Sequence, residues 1–123
     1  MTASGFYVLR VSVMPSNRSV YNDAIKKGNN AAWDGQWKKA AEEYRRALCE
    51  FPDDLSVRAS LAQSLEALGQ WESALKEFQG IAKVNQRDPV PLMSVAALQE
   101  RLRRRSEASA TWLAVAELHL QQK

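Results

Sequence analysis

Residues 35–44 read GQWKKAAEEY and residues 69–78 read GQWESALKEF, the same phrase displaced by 34 positions. Gly35/Gly69, Gln36/Gln70 and Trp37/Trp71 are identical, an alanine recurs at Ala40 and Ala74, and an aromatic ring closes each stretch at Tyr44 and Phe78. A fixed period between about 20 and 50 residues signals a repeat architecture and governs the whole fold. A third step of 34 lands on Ala108 and Trp112, so both slots hold phase over three units. Gly28, Ala62 and Ala96 are likewise all small, and Ala47, Ile81 and Val115 are all apolar. In the third unit, Arg103 and Arg105 stand in the slots of the glycine and the tryptophan.

Within each unit the local period is helical. Trp37, Ala40, Ala41, Tyr44, Ala47, Leu48 and Phe51 trace one apolar face, as do Trp71, Ala74, Leu75, Phe78, Ile81 and Ala82. The preceding halves, 55–68 and 89–102, also read as helices. Asp54 is placed to cap the first of these, and Asp88 followed by Pro89 is a cap with proline at the first helical position, where its missing N–H costs nothing. Gly35 and Gly69 supply the left-handed residue that ends one helix and permits a tight turn into the next. Each unit is therefore two antiparallel helices. Ala40 and Ala74 fall where helix axes approach closely, and the aromatic one turn later fills the gap beside them.

This pattern resembles the tetratricopeptide repeat over about residues 21–123, most specifically in "GQWKKAAEEYRRALCEFPDD", including Pro52 at the end of the unit. The first helices depart from it. Ala24, Arg58 and Leu92 replace a favoured Trp, and Lys27–Gly28, Leu61–Ala62 and Val95–Ala96 replace a favoured Leu–Gly pair. The resemblance implies an all-α fold, a right-handed α-solenoid of three antiparallel helix pairs. Units at about 21–54, 55–88 and 89–122 would form a domain over 19–123. Residues 1–18 read as a poorly ordered leader, and Met14 is an alternative start. That leader lacks the leading positive charge and small-residue cleavage site of a signal peptide.

Bulk composition narrows the function. A chain of 123 residues with 46% hydrophobic and 25% charged residues fits one ordinary globular domain. The net charge of +3 is too mild to demand nucleic acid or an anionic membrane. Cys49 stands alone, so no internal disulfide forms and a cytoplasmic location is expected. No apolar run approaches the roughly 18 residues that span a bilayer.

A catalytic constellation is missing too. His119 is the single histidine, Cys49 has no partner for metal or thiol chemistry, and no glycine-rich phosphate loop follows a strand. The chain is expected not to be an enzyme and to use no metal or cofactor. The run Arg101, Arg103, Arg104, Arg105 either binds a polyanion such as RNA or is a solvated turn flanked by Glu100 and Glu107. No aromatic platform interleaves with it, which weighs against single-stranded nucleic acid.

The resemblance places the better site on the first helices, which in the family line a concave groove for a peptide. Carried over by phase, the groove residues are Asn22, Lys26, Asn29, Trp33, Gln63 and Arg101. Asn29 matches a position that the family uses to hold a peptide backbone or terminal carboxylate. Ile25, Ser60 and Ser94 stand where the rest of a two-carboxylate clamp would require Lys, Asn and Arg, so a chaperone-tail receptor is not expected. Trp33 either anchors a partner or packs against the neighbouring helix. The expected function is thus a scaffold that binds a protein or peptide. The polyanion reading, or a role as one segment of a longer repeat protein, is the alternative. The last helix carries Leu113, Val115, Ala116, Leu118 and Leu120 on more than one side, which predicts a homodimer or further repeats there.

Overall fold

A computed structural model describes residues 16–122, so the leader expected over 1–18 lies mostly outside the described residues. Six helices follow in order: α1 (Arg18–Trp33), α2 (Trp37–Glu50), α3 (Leu55–Ala67), α4 (Trp71–Val84), α5 (Pro89–Arg101) and α6 (Arg105–Gln121). Each packs on its neighbour in sequence, giving three antiparallel pairs in an all-α, right-handed solenoid.

The boundaries follow from side chains. Asn17, Asp54 and Asp88 each have extended backbone and accept a hydrogen bond from the N–H of Val20, Val57 and Val90, capping α1, α3 and α5. Pro89 opens α5 directly after its cap. The helix α1 starts at Arg18, one turn before the unit boundary read at 21. Its extra turn is held by an aromatic corner: Tyr21 meets Phe51 edge-on at 4.7 Å, and the Arg18 guanidinium covers Phe51 at 4.4 Å.

The turn inside each unit uses one hydrogen-bond pattern three times. In the first, Gln36 N–H reaches Ala31 C=O (2.8 Å) and Gly35 N–H reaches Ala32 C=O (3.1 Å). Gln70 and Gly69 repeat it on Leu65 and Glu66, and Arg104 and Arg103 on Gln99 and Glu100. This is the closure that needs a left-handed residue just past the helix end. Gly35 and Gly69 provide it at φ 75° and 78°, and Arg103 adopts the same conformation at φ 62°. The arginine thus preserves the turn despite its side chain, at a backbone cost of about 1–2 kcal/mol.

The core is built from the phased slots. Ala40, Ala74 and Ala108 are buried, as are Ala47, Ile81 and Val115. Leu75 and Leu98 are fully enclosed, a burial that stabilises by about 1.5–3 kcal/mol each. In unit one the smallest slot is the tightest: a Cβ added at Gly28 would lie 2.7 Å from Tyr44 Cε1. Helices α1 and α2 therefore meet almost backbone to ring, which is why that slot admits only a small residue.

Candidate functional site

The buried residues of α1 (Ala24, Gly28 and Ala31) define its inward face. Asn22, Lys26, Asn29 and Trp33 occupy the opposite stripe and are all exposed. Gln63 on α3 and Arg101 on α5 are exposed as well. None of the six lines any of five cavities among the described residues, and each is open to solvent on its own helix.

Trp33 is 92% exposed in the last turn of α1. That excludes packing against a neighbouring helix and leaves a large aromatic surface bare. Asn29 has a structural bond of its own, since its Oδ1 accepts from the Tyr44 hydroxyl at 2.7 Å. With that oxygen engaged, the amide Nδ2 is the free end, and its N–H groups suit a carbonyl or carboxylate acceptor. Burial pushes the Tyr44 phenol above its usual range, with a Ser60 hydrogen bond pulling the other way. Tyr44 therefore remains a neutral donor at ordinary pH and sits beside both α1 and α3. Arg101 lies over the Trp71 ring at 5.4 Å.

The arginine run does not form one patch. Arg104 is tied to Glu72 at 2.6 Å, Arg101 covers Trp71, Arg103 makes the left-handed turn, and Arg105 begins α6. Two of the four charges are thus engaged with the start of α4. His119 is an exposed residue of α6 with Nδ1 at 3.1 Å from Val115 O. Cys49 is free and exposed. Among the described residues, no group of three or more His, Cys, Asp or Glu is placed to hold a metal ion. No described helix is long and apolar enough to cross a membrane.

Two features escaped the residue-by-residue reading. One is the Tyr44 hydroxyl, which orients Asn29. The other is a cavity of about 680 Å³ between α4, α5 and α6, with Gln99 and Thr111 among its lining. Gln99 is buried, and its Oε1 lies 2.7 Å from Thr111 Oγ1. Thr111 Oγ1 is also 2.9 Å from Glu107 O, so its single proton serves one acceptor at a time. The signal was available: a 34-residue step puts Gln99 in the slot of Ala31 and Leu65, a polar group in a core position.

A profile of the tetratricopeptide repeat matches residues 34–102, more than half of the chain. The chain belongs to the tetratricopeptide repeat family. No curated protein matches it. Solved structures with the same fold include the tetratricopeptide domain of Arabidopsis OM64, at 20% identity and TM-score 0.71, covering 84% of this chain and 85% of that one. The TPR2B domain of yeast Sti1, solved as a complex with pHsp70, aligns at 16% identity and TM-score 0.72, covering 84% and 82%. A mutant of MamA aligns at 19% identity and TM-score 0.72, covering 80% and 72%.

Proposed function

We propose that this chain is a scaffold that holds a peptide or protein segment on the exposed face of its first helices. The observation that carries this reading is Trp33, an aromatic side chain left 92% exposed on the same stripe as Asn22, Lys26 and Asn29. A bare tryptophan beside free amide and ammonium donors has the composition of a binding hot spot. The Sti1 domain, whose structure was solved with pHsp70, supports partner binding by this fold in general. A cytoplasmic setting accords with the single unpaired cysteine.

Selection of a binding peptide from a random displayed library, followed by titration of alanine variants, tests the site. Trp33→Ala is expected to weaken binding by about tenfold or more with an unchanged melting temperature. Asn29→Ala, Gln63→Ala and Arg101→Ala weaken it less. Binding that instead collapses with salt and responds only to Arg103→Ala and Arg105→Ala would replace the peptide reading with a polyanion one.

The outer face of α6 supports a second contact. Tyr44 and Phe78 are buried, whereas Trp112 in the same slot is 37% exposed, and Leu113 and Leu120 are exposed beside it. We read this face as the seat of a second copy of the chain. Light scattering should then give a dimer that Leu113→Lys/Leu120→Lys dissociates; a monomer at millimolar concentration would refute it.

A further inference from the structure

The seam between units two and three contains the cavity of about 680 Å³, whose lining includes neither Trp33 nor Asn29. The preceding repeat is closed differently. In the seam between units one and two, Arg58 reaches from the Pro52 carbonyl (Nη2, 2.7 Å) to the Glu77 carboxylate (Nη1, 3.4 Å). That strap ties the end of unit one to both helices of unit two. One period later, Leu92 stands for Arg58 and Thr111 for Glu77, so no strap forms. Gly80 adds to the opening, since a Cβ there would meet nothing within 4 Å.

What the open seam offers is chemically specific. Lys76 and Lys83 stand on its α4 wall, and neither is paired with a carboxylate among the described residues. Leu92 and Val95 supply an apolar floor. Gln99, 5% exposed, has one end of its amide against Thr111 and the other without a protein partner among the described residues. That second end opens on solvent, and an occupant that accepts from it takes the place of water.

We propose that this seam is a second docking site, for a protein segment that sets acidic side chains next to an apolar one. The acidic groups meet Lys76 and Lys83, the apolar side chain lies on Leu92 and Val95, and the segment's backbone completes the Gln99 amide. Charge complementarity fixes this choice of occupant, because the cavity lining contains two cations and no carboxylate.

The probe is a synthetic peptide of alternating glutamate and leucine, with lysine-for-glutamate and serine-for-leucine versions as controls. Fluorescence anisotropy should show binding of the first peptide alone. Heteronuclear NMR should place it at the Gly80 amide and the Gln99 side-chain amide. Leu92→Arg/Thr111→Glu transplants the Arg58–Glu77 strap into this seam and should weaken the peptide by about tenfold or more. Lys83→Glu, at an exposed position that cannot disturb the core, should do the same, and Trp33→Ala should leave binding intact. The proposal is overturned if no peptide binds at millimolar concentration or if the controls bind equally. It is also overturned if the folded strap variant binds unchanged, or if Trp33→Ala abolishes binding, which would assign the peptide to the first-helix face.

Discussion

The seam between units one and two and the seam between units two and three share a backbone plan but differ in their lining side chains, and three of these bear directly on closure. Leu65, Arg58 and Glu77 fill and strap the first; Gln99, Leu92 and Thr111 leave the second open. The repeat therefore fixes helix placement through its small and aromatic slots, and leaves the closure of each seam to a few variable positions. Where those positions diverge, a structural joint becomes a receptive surface.

The largest expected effect lies in a slot that both seams depend on. Ala74 is fully buried in α4. Ala74→Asp forces volume and an unpaired charge into a close helix contact and should cost about 3–5 kcal/mol. Ala110→Asp, at an exposed position of α6, should cost under about 0.5 kcal/mol. Equal melting temperatures for the two would break the slot assignment.

Exchanging the third variable residue sharpens the comparison directly. Leu65→Gln puts an amide into the first seam, where Glu77 is already engaged by Arg58, and should destabilise by about 2–3 kcal/mol. Gln99→Leu should be near neutral, because Thr111 keeps the Glu107 carbonyl as its acceptor. Urea denaturation of the pair measures the asymmetry; similar losses for both would show that the seams are equivalent after all.

Two helical glycines give a smaller contrast of opposite sign. Gly28→Ala drives a methyl group into the Tyr44 ring and should destabilise by about 1–3 kcal/mol. Gly80→Ala enters open space and should stabilise by about 0.5–1 kcal/mol through helix propensity. The smallest effect belongs to the third turn. Arg103→Gly removes the left-handed penalty and adds chain entropy, for a net gain of about 0.5 kcal/mol, readable as a small rise in melting temperature.

The fold was legible because its rules are local. Asp54 and Asp88 cap where their side chains dictate, Gly35 and Gly69 turn where only a permissive backbone fits easily, and the alanine slots mark the close contacts. The turn at Arg103 was less so: its residue type disfavours the conformation, which is closed by the backbone hydrogen bonds of Leu102, Arg103 and Arg104. The candidate site was legible in part. Phase placed its six residues on exposed stripes, but a tryptophan at the end of an amphipathic helix has the same composition whether buried or bare, so only the structure settled Trp33. The partners that split the arginine run, Trp71 and Glu72, lie about 30 residues upstream, beyond any local motif. Tyr44 read as a space-filling ring because its hydroxyl's acceptor, Asn29, is on another helix.

Asp54 has a consequence for how the molecule comes apart. One carboxyl oxygen caps α3 through Val57 N–H, and the other accepts from the Tyr21 hydroxyl of α1. Fraying of α1 therefore withdraws a support from the first turn of α3, and loss of the cap loosens Tyr21 in return. In a linear stack where each unit contacts only its neighbours, such a shared residue raises the coupling between adjacent units relative to the stability of each alone. Amide exchange at the start of α3 should then follow the opening of α1 as one cooperative event. Tyr21→Phe would separate the two rates, turning a concerted opening into two independent ones.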